Sequence, residues 1–392
     1  MIKQSKQRIG RNYMKSNARW MVMFAAIAGV CLTGAVRSGA ASSEAEEMMS
    51  GYDAEQRAAA ASRAKDKAWQ PSCKQISLIQ VGDSRNPGAL KNFCLNKEGN
   101  ILACFAGTGK ASDPKNASGI RVYSPAGELL KTLPLEIKPE AVCVAGDGTI
   151  FAAGEGRLLK LDESGKVIAS AASPVAKETV VMGQEVEDMV KEMTKQTKRS
   201  FKDELARMKT SLENRRSTVT GLAVTEQDVF MAVPAPSDFS YRVYRYNHEL
   251  AEPKLVVEKL HGCCGQMDIQ SHDDKLWIPH NARHCVEAHD RDGKELSKFG
   301  KSGKVKPTDF GGCCEPKNLR VLADGDILAA ESGPPTCIKR FSADGKFKEV
   351  IAIVDGSKGD CVRVTVERSP DGQRYYMLDT TKGAIRVFAS KS

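Results

Sequence analysis

An all-β, six-bladed propeller is the fold class the sequence predicts, and three observations predict it. First, the stretch from His261 to Val350 holds one unit twice: HGCCGQMDIQSHDDKLWIPHNARHCVEAHDRDGKELSKFG, then GGCCEPKNLRVLADGDILAAESGPPTCIKRFSADGKFKEV. Each copy opens on Gly-Cys-Cys, runs into an apolar strand and turns at an acidic pair or Asp-Gly. A second strand climbs to a polar loop, Cys285 or Cys337 begins a third, and Asp292-Gly293 or Asp344-Gly345 turns into a fourth. Four short strands repeated at about 50 residues mark propeller blades. Second, the same pattern recurs three times before this stretch. Third, the final unit, VRVTVERSPDG–RYYMLDT–AIRVFAS, has only three strands, while an orphan apolar run, Gln75–Val81, stands at the front. That run supplies the missing strand, since closing the ring this way removes an open sheet edge.

The chain begins with a basic segment: Lys3, Lys6, Arg8, Arg11, Lys15, Arg19 and Arg37, with no acid before Glu44. These seven charges supply most of the net +9, leaving about +2 for the rest. The basic balance is therefore a targeting feature and no argument for nucleic-acid binding, which needs a basic face on the folded body. Trp20 to Val36 is 17 residues, apolar and uncharged. With Ser38 and Ala40 it reads as a secretory signal over residues 1–40, the alternative being an uncleaved membrane anchor. The protein is expected to be exported. Residues 41–73 are Ala-rich and charged, a tether with too few apolar side chains to fold alone.

From there the blades follow in order. Blade one is KNFCLNKE, NILACFAG, GIRVYSP and LLKTLPL, and blade two is AVCVAGD, TIFAAGE, RLLKLDE and VIASAA. Between 179 and 217 the strand period gives way to apolar residues at three- and four-residue steps: Val186, Met189, Met193, Phe201, Leu205, Met208 and Leu212. This predicts one amphipathic helix or a hairpin of two, packed on the propeller or, over 185–215, meeting a partner. Blade three is TVTGLAVTEQ, DVFMAVPAP, YRVYRYNHE and KLVVEKL; the duplicated unit gives blades four and five, and the three-stranded unit blade six.

Eleven of the twelve cysteines follow the signal. Strands of a blade alternate in direction, so loops before the first strand and between the second and third open on one face. Cys263, Cys264, Cys313, Cys314 and Cys361 precede innermost strands, and Cys94, Cys104, Cys143, Cys285 and Cys337 map toward the same face, with His261, His280 and His284; Cys73 stands outside. Three readings stay open. In an oxidising compartment the cysteines are disulfide braces, and a bond between adjacent cysteines would be strained and easily reduced. Alternatively Cys263, Cys264, Cys313, Cys314 and Cys361 hold a soft metal such as zinc or Cu(I), or an iron–sulfur cluster. Or the thiols are reduced and serve as small apolar side chains. Asn92, Glu140, Asp268 and Asn318 near the central opening admit an oxygen-lined Ca²⁺ site. No Gly-x-Ser-x-Gly, His-Glu-x-x-His or phosphate loop is present.

At GGCCEPKNLRVLADGDILAAESG and FSADGKF the chain resembles NHL-repeat propellers. With GCCGQMDI and CVRVTVERSPDG it is similar, more narrowly, to cysteine-rich exported propellers of planctomycete-like bacteria, a group without an established activity. The resemblance spans roughly residues 75–390 and implies the fold. Relatives of that architecture include lactonases, a lyase acting on amidated-peptide precursors and protein-binding modules, so fold alone does not choose an activity. Three expectations follow: a binding module for a protein or small molecule whose cysteine-lined face holds a metal or a redox-active disulfide; a Ca²⁺-dependent hydrolase or lyase using Glu140, Asp268 and Asn318; or a disulfide-braced scaffold.

Overall fold

The computed structural model describes residues 43–82, 86–109, 116–197, 200–262, 265–312, 314–354 and 362–391. The apolar segment Trp20–Val36 and its flanks lie outside these, as do Cys263, Cys264, Cys313 and Cys361.

Six four-stranded antiparallel sheets follow one another. The first comprises β2 (Leu90–Leu95), β3 (Ile101–Phe105), β4 (Gly119–Tyr123) and β5 (Leu129–Pro134). The second comprises β6 (Ala141–Val144), β7 (Ile150–Gly154), β8 (Arg157–Leu161) and β9 (Val167–Ala172). The third has β10 (Gly221–Val224), β11 (Asp228–Pro234), β12 (Ser240–Asn247) and β13 (Lys254–His261). In the fourth stand β14 (Gln270–His272), β15 (Lys275–His280), β16 (Cys285–His289) and β17 (Glu295–Phe299). The fifth holds β18 (Asn318–Val321), β19 (Ile327–Glu331), β20 (Cys337–Phe341) and β21 (Phe347–Ile353). The sixth takes β22 (Val366–Arg368), β23 (Arg374–Asp379) and β24 (Ala384–Ser390) from the end of the chain, and β1 (Cys73–Gln80) from the start. β1 runs antiparallel to β24, with Ile79 opposite Ile385 and Cys73 opposite Ser390. Cys73, read from the sequence as lying outside the blades, is therefore the first residue of that outer strand.

Burial explains the strand sequences. Second strands are sandwiched between neighbouring sheets, so β3, β7, β11 and β19 are buried along their whole length and read as continuous apolar runs. Outer strands such as β9 and β17 keep most side chains in solvent. Six apolar layers fill the gaps between adjacent sheets, one per gap. The layer of Ile79, Phe93, Ile101, Tyr376 and Ile385 joins the sixth sheet to the first and closes the ring. Each fully buried large side chain in such a layer contributes about 1.5–3 kcal/mol. In the fourth sheet the first hairpin turns on Asp273 and Asp274, both left-handed at φ 48° and 55°, where other blades use Gly99, Gly148 and Gly325. Asp tolerates that region because its short carboxylate bonds locally.

Two elements sit outside the ring. The insertion is a hairpin of α2 (Gln184–Thr197) and α3 (Phe201–Arg215), with Ser200 capping the second helix; Val186, Val190, Met208 and Leu212 are its buried apolar positions. The Ala-rich segment is helical as α1 (Ser43–Lys65). Its end is pinned to the fifth sheet: Trp69 is buried with Cys337 and Val350, and its Nε1 donates to the Val305 carbonyl at 2.6 Å. Arg63 Nη1 donates to the Lys304 carbonyl at 2.6 Å. One tryptophan thus fixes a segment whose composition offers almost nothing else to bury.

Candidate functional site

The loops that lead into the innermost strands meet at one end of the ring and form a polar collar. Arg363, ahead of β22, donates through Nη1 to the carbonyls of Lys91 (3.5 Å) and Glu140 (3.1 Å) and through Nη2 to that of Gly265 (3.3 Å). It thereby ties the sixth blade to the first, second and fourth. Gln266 and Val364 exchange two hydrogen bonds, at 2.7 and 3.2 Å. Thr365 Oγ1 donates to Asn92 Oδ1 at 2.8 Å. Asn318 donates to Asp268 Oδ2 and accepts from Val366 N–H at 2.8 Å. Glu140 Oε2 accepts from Val219 N–H at 2.8 Å, joining blades two and three. Beneath the collar Arg320 pairs with Glu367 at 2.7 Å. Burial pushes Glu367 up to about 7 against that pairing, and raises Asp268 and Glu140 as well.

Asp268 and Asn318 therefore meet, whereas the Glu140 carboxylate turns to the third blade. Each side-chain oxygen named is engaged with a neighbour, and Asp268 Oδ1 accepts from Ile269 N–H at 2.9 Å. These residues fasten blades to one another, and the set does not fit an oxygen cage for Ca²⁺, which needs several oxygens free to converge.

The described cysteines divide sharply. Cys73, Cys94, Cys104, Cys143, Cys285 and Cys337 are free thiols, and no disulfide joins two described residues. Cys94 and Cys104 lie in the apolar layer between the first and second sheets. Cys337 lies under Trp69, and Cys143 packs at the edge of the layer between sheets two and three. Strands, and not only loops, carry these side chains, and strand faces point into neighbouring blades. Burial raises every one of these thiols, Cys143 and Cys285 up to about 12. Thiols so raised are poor nucleophiles.

Cys285 belongs to a buried trio with His280 and Glu287, the one group of three close His, Cys, Asp or Glu ligand atoms among the described residues. Its protons can be placed. His280 Nε2 accepts from His261 N–H at 2.9 Å, so the hydrogen sits on Nδ1, which donates to Glu287 Oε1 at 2.9 Å. The nitrogen facing the trio thus carries a proton and has no lone pair for a metal. His289 meets acceptors at both nitrogens, the Gly293 carbonyl at 3.0 Å and Glu287 Oε2 at 3.3 Å, and is therefore an imidazolium. Burial opposes that charge, but the Glu287 hydrogen bond raises the His289 pKa and holds Glu287 well below the usual carboxylate range. The cluster is a buried ion pair between blades three and four.

Cys314 is the exception among the described cysteines: it is disulfide-bonded, and no other described cysteine is its partner. It sits in the loop leading into β18 and is fully buried. Lys317, also fully buried, places Nζ 2.8 Å from Cys314 Sγ. Glu315 Oε1 accepts from Ser332 N–H at 3.0 Å and Ser332 Oγ at 2.7 Å. Burial pushes the Glu315 carboxyl up to about 8, only partly offset by Lys317. His284 is lowered to about 4 by burial and then by Lys317. Behind them Lys339 pairs with Glu331 and donates to the Asp309 carbonyl at 2.7 Å, while Glu331 Oε2 holds Gly311 N–H at 2.8 Å. The sequence reading missed Lys317, Glu315 and Arg363. The available signal for the first two was charge in a segment, Glu315-Pro-Lys317-Asn318, that leads directly into an innermost and therefore buried strand.

With collar, cysteines and blades in place, the class is defined: this is a six-bladed β-propeller. No family profile matches the chain, and no curated protein does. Solved structures with similar folds include a Bacteroides thetaiotaomicron protein of unknown function (TM-score 0.50, 11% identity, 81% of this chain and 76% of that one). They also include a streptogramin B lyase (TM-score 0.49, 11% identity, 83% and 100%) and a Xanthomonas campestris gluconolactonase (TM-score 0.47, 10% identity, 83% and 99%). At such identities the likeness concerns fold alone.

Proposed function

We propose that the protein is an exported β-propeller binding module whose cysteine-bearing end responds to thiol–disulfide redox state through Cys314. One observation carries this reading: among the described cysteines, six are free thiols, five of them buried and Cys143 half-buried, and the single oxidised one lies in a leading loop beside a buried lysine. A brace alone has no use for an ammonium at its sulfur. The same end of the ring carries a cleft of about 550 Å³ lined by Gly107, Gly109, Ser118, Leu135, Lys138 and Glu155, which offers room for a small molecule or peptide side chain. Reduction of the disulfide would release thiolate ligands, so soft-metal binding by the set Cys263, Cys264, Cys313, Cys314 and Cys361 belongs to the reduced form.

Thiol counting by mass spectrometry on the full chain, purified from an oxidising compartment and equilibrated in graded dithiol buffers, tests the reading. The expected result is that Cys314 becomes alkylatable while the fold persists, and that zinc binds only after reduction. Cys314 remaining closed until the chain unfolds would leave a structural brace and refute the redox function. Stoichiometric Ca²⁺ lost on Asp268→Asn would favour a hydrolase instead.

A further inference from the structure

We propose that three cations at the collar, Lys91, Lys138 and Arg363, form a binding site for the oxyanion of a small ligand, a carboxylate or a phosphate group. This names the ligand class of the binding-module reading, on which it rests, and makes no use of Cys314.

Arg363 anchors the site. It is half-buried ahead of β22. Nη1 donates to the carbonyls of Lys91 at 3.5 Å and Glu140 at 3.1 Å, and Nη2 to that of Gly265 at 3.3 Å. These acceptors are neutral, so they orient the guanidinium without cancelling its charge. A guanidinium carries five N–H groups, and the three contacts leave the rest for a ligand. Four other half-buried arginines each meet a carboxylate: Arg245 with Asp228, Arg320 with Glu367, Arg340 with Asp326 and Arg386 with Asp379. Among the described residues Arg363 has no such partner.

Lys91 and Lys138 stand on either side of it. The carbonyl of Lys91 accepts from Arg363, and Lys138 precedes Glu140, the second acceptor, by two residues. Neither ammonium has a hydrogen bond or an ion pair among the described residues. Burial lowers the Lys91 pKa, Arg363 lowers it further, Glu140 partly offsets this and Lys138 adds to it. The one nearby acid, Glu140, gives its Oε2 to Val219 N–H at 2.8 Å, and burial raises its carboxyl. Half-buried positive charge therefore exceeds negative charge here, at a cost that an arriving oxyanion removes. A guanidinium beside two ammonium groups suits the oxygens of a carboxylate or phosphate.

The neighbouring cleft of about 550 Å³ gives the rest of such a ligand room, because Lys138 lines it as well. Its two acids are already engaged. Glu136 faces Arg157 at 3.8 Å, and Glu155 Oε2 accepts from Lys138 N–H at 3.0 Å.

Calorimetric titration of the full chain at low ionic strength tests the proposal, with inorganic phosphate and succinate as probes. One of them should bind at a single site with a Kd of about 0.1 mM, and the tighter one identifies the group as phosphate or carboxylate. Raising the salt should weaken it. Lys91→Met and Lys138→Met should each weaken it by ~tenfold, the loss expected for one hydrogen bond to a charged group. Both variants should melt within ~2 °C of wild type, since neither ammonium holds the fold together. Lys166→Met, at a turn on the opposite end of the second blade, should leave binding unchanged. No binding of either probe below ~10 mM overturns the proposal. So does an equal loss in Lys166→Met, which would mean an adventitious ion only, or wild-type affinity in both Lys91→Met and Lys138→Met. None of these outcomes touches the thiol exchange of Cys314, so the redox reading stands or falls separately.

Discussion

Glu287 shows how a buried side chain is held by its partners. It accepts from His280, His289 and Cys285 in a site less than a tenth exposed at each residue. His289 is raised from 6.5, so its contribution is complete below about 6.5 and is lost as pH climbs through its folded pKa. Glu287 is depressed from 4.5, so its contribution is complete above about 4.5 and is lost as pH falls through its folded pKa. The pair therefore stabilises most between those values. Glu315 and Glu367, raised acids, also weaken the fold as pH rises, so the difference between variants is the informative quantity. Glu287→Gln should cost ~3 kcal/mol near pH 5.5, because it leaves an imidazolium buried without its counter-charge. That cost should shrink above pH 7. Denaturant melts of both proteins across pH check this; a pH-independent difference would show that His289 is neutral.

At the scale of an element, α1 and its turn illustrate how little apolar area an attachment needs. Asp66 caps the turn by accepting from Ala68 N–H at 2.9 Å, and Trp69 then fills the space over Cys337 and Val350. Lys339 Nζ lies 4.9 Å from the indole centroid, adding a cation–π contact in a dry site. Trp69→Ala should cost ~3–5 kcal/mol at this attachment. Because β1 continues from the same segment, the readout is local: limited proteolysis should cut residues 43–72 while the rest of the chain resists. Unchanged cleavage would mean that Ser72 N–H on the Val350 carbonyl, at 2.9 Å, holds the segment unaided.

For the whole molecule the governing fact is closure. β1 covers the edge of β24, and Ile79 joins the layer between the last and first blades. Deleting residues up to Gln80 should expose that edge and open the ring. The expected outcome is loss of a cooperative melt together with aggregation, checked by calorimetry and light scattering. Retention of a wild-type melt would show that the collar of Arg363, Gln266 and Asn318 closes the ring by itself. Blade number, strand order and turn positions were legible in the chain because each blade repeats the same local rules: apolar runs, Asp-Gly turns and a fixed period. The collar was half legible. Asn92, Glu140, Asp268 and Asn318 stood out as polar residues before inner strands, but whether they would bind an ion or one another depends on angles set by the closed ring.

The sequence by itself determined the architecture, because hydrophobic periodicity and turn chemistry act over a few residues and are written locally. It also placed cysteines ahead of the innermost strands. Only the tertiary structure decided what surrounds each described cysteine. Cys94, Cys104, Cys285 and Cys337 mapped toward the same face as Cys314 along the chain, yet neighbouring sheets bury the first four as raised free thiols. A lysine three residues on, pressed inward by ring closure, stands at the sulfur of the fifth. Charge at a site depends on what surrounds it in space, and that is set by contacts between blades far apart in sequence.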